Sequence, residues 1–250
     1  MAVNPIRPTN DGARLLAKTL IRTARHASLA TLEGKDGFPS ASLVSLAADC
    51  DGTPLVLMSR LSNHTRNLLA DPRASLLIGD IGKGDPLAHP RITLFTKARA
   101  VERGSAEGKR IRRRFLAKNP KATLYVDFGD FLFMAFDVQR ASLNGGFGKA
   151  FELLPADVLG DASAAAELMQ QEETFLAQLN AGSDCARLAR LAGAIGTPWH
   201  ATGIDCDGID LARGDRTARY AFGHAVRGRA DFEAALRQGL APLQGAVSPA

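Results

Sequence analysis

The stretch 54–79, PLVLMSRLSNHTRNLLADPRASLLIG, constrains the fold more than any other part of the chain. An apolar run over 54–59, bounded by Asp51-Gly52 and by polar residues, reads as a strand. Ser62-Asn63-His64-Thr65 then places four hydrogen-bonding side chains where a helix would begin. That helix is predicted over 65–70, because Asp71 precedes Pro72 and the residue before a proline is pushed out of the α region. Residues 73–78 form the next strand. Backbone N–H groups at such a helix start are unpaired and suit an anion; the plainer reading is that Ser62 or Asn63 caps the helix.

Upstream, Leu15, Leu16, Thr19, Leu20 and Thr23 recur at helical spacing behind Asn10 or Asp11 as cap, predicting a helix over 11–25. Residues 27–33 and 39–48 read as a hairpin joined through Gly34-Lys35-Asp36-Gly37. Their small residues, Ser28, Ala30, Ser40, Ala41, Ser42 and Ser45, alternate with apolar ones. This suits one buried face and one face approached closely by another backbone or a ligand.

Downstream, 91–102 alternates as a long strand, and 107–118 reads as a helix with Ile111, Phe115 and Leu116 on one side. Lys109, Arg110, Arg112, Arg113 and Arg114 on that helix are expected to form a solvated face. With no interleaved aromatic platform among them, they do not point to nucleic acid. Residues 131–143 form an aromatic-rich core strand that ends in Asn144-Gly145-Gly146-Phe147-Gly148-Lys149. These glycines follow an apparently antiparallel strand, so they are not a dinucleotide fingerprint. They predict a bend where the sheet leaves its domain, or backbone against which a planar ligand could lie.

Composition shifts after Leu154: 155–166 reads as a linker, followed by helices over 167–179 and 183–194. Three short strands over 199–204, 208–213 and 217–222 and a closing helix over 229–240 complete a small α+β region. The expected division is therefore a barrel-forming domain over 1–155 and a C-terminal α+β domain over 160–245.

The 46% hydrophobic content supports a real core, and the net charge of +5 is weak support for an anionic ligand. Cys50, Cys185 and Cys206 are scattered and odd in number, which fits a reducing compartment and neither a disulfide framework nor a metal cluster. The opening MAVNPIRPTNDGARLLAK has no apolar signal core, and no run reaches ~20 apolar residues, so a soluble cytoplasmic protein without a membrane span is expected. His26, His64, His89, His200 and His224 show no metal-ligand spacing. No nucleophile motif or paired carboxylate argues for hydrolysis. His64 stands out, because Ser62, Asn63, Thr65 and Asn67 surround it.

Residues 38–78 resemble the FMN-binding split β-barrel of the pyridoxamine 5′-phosphate oxidase superfamily. Within it, SRLSNHTRN (59–67), DPLAHPRIT (85–93) and GGFGKA (145–150) are similar to the bacterial haem-utilisation, HugZ-like, branch. The meander TGIDCDGIDLARGDRTARYAF is similar to the small α+β domain that follows the barrel in that branch. The resemblance covers about residues 11–240 and implies an α+β fold: an antiparallel split barrel, then helices with a three-stranded meander. It further implies a homodimer with a ligand cleft at the subunit interface, holding haem or FMN.

Carried onto this chain, the resemblance makes Arg60, Ser62, Asn63, His64, Thr65 and Asn67 the anionic end of the pocket, with Lys149 adding a charge. Aligned on Asp71-Pro72, Ser42, Ala47, Asn63 and His64 stand where true oxidases carry basic phosphate clamps, and Ser62 alone is retained. Each lost charge-assisted contact removes roughly 1.5–3 kcal/mol, so pyridoxamine phosphate oxidase activity is not expected. A second departure is Leu179-Asn180-Ala181-Gly182-Ser183-Asp184, where the branch usually carries a histidine. His64, His200 and His224 are the candidate axial ligands, in that order. Three activities follow from the resemblance: haem binding with oxygen-dependent haem breakdown, a non-enzymatic regulatory module in tetrapyrrole metabolism, and an FMN-dependent oxidoreductase.

Overall fold

Apolar residues over 26–153 assemble seven strands into one antiparallel sheet. They are β1 (His26–Leu32), β2 (Pro39–Ala48), β3 (Pro54–Ser59), β4 (Arg73–Ile78), β5 (Arg91–Val101), β6 (Phe131–Asn144) and β7 (Ala150–Leu153), in the spatial order β3-β2-β1-β4-β5-β6-β7. A further pairing of β3 with β6, from Leu55 opposite Ala135 to Ser59 opposite Phe131, closes β1–β6 into a six-stranded barrel. The computed structural model describes residues 6–79, 82–146, 148–161 and 166–241. The fold is α+β, with a separate three-stranded sheet beyond the barrel. The chain divides into two units, the first ending at Gly160 and the second starting at Asp161.

Inward residues of every barrel strand, among them Leu29, Leu46, Leu76, Leu94 and Phe136, share one core and are fully buried. Each such side chain contributes roughly 1.5–3 kcal/mol by leaving water. Helix α1 (Asp11–Thr23) starts at Asn10, whose side chain accepts a hydrogen bond from Ala13 N–H. It lays Ala13, Ala17 and Ile21, four residues apart on one face, into that core. The helix ends two residues before the expected Arg25.

The unbroken apolar runs of β3 and early β6 have a structural cause. Val56, Met58, Met134 and Phe136 face the barrel core, whereas Leu55, Leu57, Phe133 and Ala135 face a second core under α3 (Ala106–Lys118). Strands buried on both faces need no alternation. The start of α3 lies so close to the preceding turn that a Cβ on Gly108 would sit 2.2 Å from the Glu102 carbonyl oxygen.

The basic face of α3 is the solvated surface expected from sequence only in part: Lys109 is exposed, whereas the arginines find partners. Arg110 forks Asp49 (Nε–Oδ1 3.0 Å, Nη2–Oδ2 2.8 Å), and Arg112 forks Asp127. Arg114, 3% exposed, donates to the Ala48 carbonyl. These cations anchor α3 to the β2–β3 turn and to the segment before β6. Burial works against the Asp49 carboxylate, but the Arg110 fork and the Arg114 charge outweigh it and hold its pKa below the usual range.

The expected linker also begins inside the first unit. After β7, Pro155–Val158 forms a helical turn, α4, with Val158 fully buried and Asp157 bonded to Arg14 at 2.7 Å. Residues 162–165 of that predicted linker lie outside the described residues. The glycine-dense segment after β6 is a hairpin turn that sends the chain back along β6 as β7. Asn144 Oδ1 accepts from Gly146 N–H, and Gly146, at φ +104°, would place a Cβ 3.0 Å from the Ala88 carbonyl.

In the second unit, β8 (His200–Asp205), β9 (Gly208–Arg213) and β10 (Arg216–Ala221) form the expected meander. Helices α5 (Ala166–Ala181), α6 (Asp184–Leu191) and α7 (Arg229–Leu240) share its core through Phe175, Leu188 and Phe232. Asn180 bonds both backbone groups of Ala201, accepting from N–H at 2.7 Å and donating to C=O at 3.0 Å. It thereby acts as a one-residue strand neighbour along the edge of β8.

Candidate ligand groove and the α2 loop

Ser59, the last residue of β3, organises the loop that leads into α2 (Asn63–Ala70). Leu61 N–H donates to Ser59 Oγ at 3.1 Å, so the Ser59 hydroxyl hydrogen goes to Asp130 Oδ2 at 2.5 Å. Arg60 N–H donates to the Asp130 carbonyl at 2.8 Å. The Ser62 hydroxyl donates to the Ser59 carbonyl at 2.7 Å, which makes Thr65 the donor in the 2.7 Å contact between Thr65 Oγ1 and Ser62 Oγ. Ser62 is the residue before the helix, yet its side chain makes no capping bond to α2. The expected Ser62 or Asn63 cap is therefore absent. Asn63 Oδ1 accepts from the Arg66 guanidinium instead.

Of the remaining residues singled out in this loop, Arg60 is exposed and His64 is half-buried. Burial lowers the His64 pKa below its ordinary value, which favours the neutral ring. Asn67 lies one turn further along α2 and donates through Nδ2 to Thr31 Oγ1 at 3.0 Å. Lys149 is not brought to this loop within one chain. Ser59 pairs with Phe131 at the start of β6, whereas Lys149 follows Asn144 at its end, on the order of 40 Å away along the strand at ~3.3 Å per residue. Among the other candidate ligands, His200 opens β8 and His224 follows β10 in the second unit. His224 there borders a smaller pocket of about 360 Å3, with Tyr220, Gln238 and Gly239.

A larger groove, about 470 Å3, lies on the first unit, within the size range of small-molecule sites. Its walls come from Ala30, Leu32, Pro39, Ala74 and Phe95, and its polar groups include Arg73, Lys97 and Gln139. The groove touches the α2 region through Thr31, which bonds Asn67. None of the seven residues singled out from sequence lines it.

Two local features shape this groove. The ladder between β5 and β6 shifts register at Phe95/Thr96, with Phe95 opposite Arg140 and Thr96 opposite Val138. Gln139 is the extra residue of this bulge, so Gln139 and Arg140 are both exposed in succession. The Arg140 guanidinium carbon then sits 3.5 Å from the centre of the Phe95 ring. Arg73 is forked by Asp71 through Nε and Nη2, which holds the Asp71 carboxyl at a pKa of about 2. Nothing in the sequence alone marks Phe95, Lys97 or Gln139 as groove residues. A period-2 reading of β5 could have placed Phe95 and Lys97 on one face, but the bulge that turns out Gln139 leaves no compositional signal.

The outer face of β1, β2 and β4 beside the groove carries Ser28 and Ala30 flanked by two exposed leucines. Leu43 is 74% exposed and Leu77 45% exposed, both in register with Ser28. Among the described residues, no group of three or more His, Cys, Asp or Glu side chains could hold a metal ion. No helix among them is long and apolar enough to cross a membrane.

A family model described as CREG, beta-barrel matches residues 8–158, which span the barrel and the turn after β7. The chain belongs to this family. A CREG-like split barrel is consistent with the resemblance to the haem-utilisation branch of FMN-binding split barrels. A protein of unknown function from Agrobacterium tumefaciens is 35% identical, with 94% of this chain and 100% of that one covered and a TM-score of 0.83. A heme binding protein from Mycobacterium smegmatis is 29% identical over 94% of this chain and 97% of its own, with a TM-score of 0.55. The chloroplastic heme oxygenase HOZ of Arabidopsis thaliana is 38% identical over 144 residues, 56% of this chain and 43% of that protein. The chain thus spans less than half the length of that curated relative. Both units of this CREG-like chain have counterparts in the Agrobacterium structure, because the match covers nearly the whole chain.

Proposed function

We propose that this chain is a haem-binding split-barrel protein whose ligand lies on the groove bounded by Ala30, Phe95 and Lys97. The groove carries the reading: it joins apolar and aromatic walls suited to a flat macrocycle with cations suited to carboxylates. The heme binding relative from Mycobacterium smegmatis and the heme oxygenase of Arabidopsis thaliana support the same ligand class.

The groove fits the macrocycle and its propionates but holds no His, Cys, Met or Tyr to ligate iron. The iron ligand therefore comes from outside it. His64 is favoured over His200 and His224, because it stands in the first unit on α2, whose Asn67 bonds Thr31 of the groove wall. A second copy of the chain covers the Leu43–Leu77 face and closes the cleft. There the α2 loop, with Arg60, Ser62, Asn63, Thr65 and Asn67, and Lys149 supply further polar contacts. Bound haem would supply the one-electron and oxygen chemistry of a haem oxygenase, while this chain binds it, excludes water and orients it.

FMN is less well served. The one retained clamp residue, Ser62, gives its hydroxyl hydrogen to the Ser59 carbonyl and receives one from Thr65, which leaves it no hydrogen for a phosphate. An absorbance titration of the purified protein with haemin, with FMN in parallel, tests the proposal. A saturable Soret band is expected; saturable FMN binding without one would overturn the haem reading.

A further inference from the structure

We propose that Lys97 and Arg140, on either side of Phe95, are the pair that reads two carboxylates of a planar dianionic ligand. The proposal rests on the haem reading and deepens it by assigning the groups that select a dicarboxylate.

Four cations lie along this part of the outer face, and two are already neutralised. Arg73 is forked by Asp71. Arg99 binds Glu107 at 2.6 Å and Asp137 at 3.3 Å, and Asp137 is the residue directly opposite Lys97. The carboxylate opposite Lys97 on β6 is thus bound to Arg99, and Arg73, opposite Lys97 on β4, holds Asp71. Among the described residues neither Lys97 nor Arg140 has a carboxylate within ion-pair distance. Both are exposed, so their charge is available to a ligand.

Their geometry suits a flat molecule with two acidic arms. Phe95 and Lys97 are alternate residues of β5 and project from the same face, about 7 Å apart along the strand. Arg140 stands opposite Phe95 across the bulge and stacks on its ring. Phe95 therefore offers an aromatic surface between two cations. A guanidinium resting on a ring can turn toward a carboxylate while keeping its stem on the apolar wall. Gln139, turned out by the same bulge, adds an amide to the groove.

The test is a Soret titration of wild type, Lys97→Ala, Arg140→Ala and the double variant with haemin and, separately, with haemin dimethyl ester, whose carboxylates are masked. Circular dichroism melts confirm that each variant is folded. For haemin, each single substitution should raise Kd about tenfold and the double about a hundredfold. For the ester, the variants should bind like wild type, and Lys97→Arg should restore haemin affinity. Unchanged haemin affinity in the double variant, or an equal loss for the ester, would overturn the assignment while leaving the haem reading standing. Failure of the wild type to bind either porphyrin would overturn both.

Discussion

The Ser59 hydroxyl donates to the Asp130 carboxylate at 2.5 Å, tying the end of β3 to the residue before β6. Four further backbone and hydroxyl bonds converge on these two residues, so the start of α2 depends on them. Asp130→Ala should lower stability by about 1–3 kcal/mol, read as a reduced urea midpoint, and speed amide exchange at Leu61 and Ser62. A midpoint and exchange rates equal to wild type would show that the loop holds itself.

His64 sets a pH dependence of known sign. Its folded pKa lies below the ordinary value of 6.5, so on acidification the unfolded chain takes up this proton first. The stability associated with the neutral ring is intact above about pH 6.5 and is lost as pH falls through that value toward the folded pKa. His64→Gln should flatten the fall in urea midpoint between pH 7.5 and 5.5. The same slope in both proteins would place His64 in an unperturbed setting.

Leu43 and Leu77 give the dimer proposal a direct test. Placing a carboxylate at either position would bury charge against a second copy and remove roughly 1.5–3 kcal/mol of apolar burial. Leu43→Asp with Leu77→Asp should raise the dimer dissociation constant at least about a hundredfold, with the melting temperature of the isolated chain unchanged. Light scattering after size exclusion decides it, and a monomeric wild type would remove the proposed interface.

In the second unit, Arg219 is 2% exposed at its side chain and bonds Asp205 and Asp210, each at 2.6 Å. Burial opposes the charge of Arg219, but the two carboxylates more than offset it and raise its pKa. Arg219→Ala removes the guanidinium that Asp205 and Asp210 share in a buried site and should cost about 3–5 kcal/mol. The chain with Asp205→Asn added should recover part of that loss, because one of the two carboxylates is gone. Chemical denaturation of the three proteins measures both effects.

What the sequence determined by itself was local. The strands over 39–48, 54–59 and 73–78 and the closing helix follow from apolar period, Asp51-Gly52 and Asp71-Pro72, signals carried by neighbouring residues. The seven residues drawn from the resemblance include a coherent α2 loop, because a loop before a helix is also local. The tertiary structure decided whatever depends on distant partners. Ser62 does not cap α2, since its hydroxyl finds the Ser59 carbonyl once β3 has ended against Asp130. Arg110 and Arg114 of α3 turn inward because Asp49 and the Ala48 carbonyl lie beneath them, a meeting of residues about 60 positions apart. One extra residue in β6 shifts its register against β5, which brings Gln139 to the groove and Arg140 onto the Phe95 ring. A register is set by the whole ladder of cross-strand pairs, so no single stretch of sequence contains it.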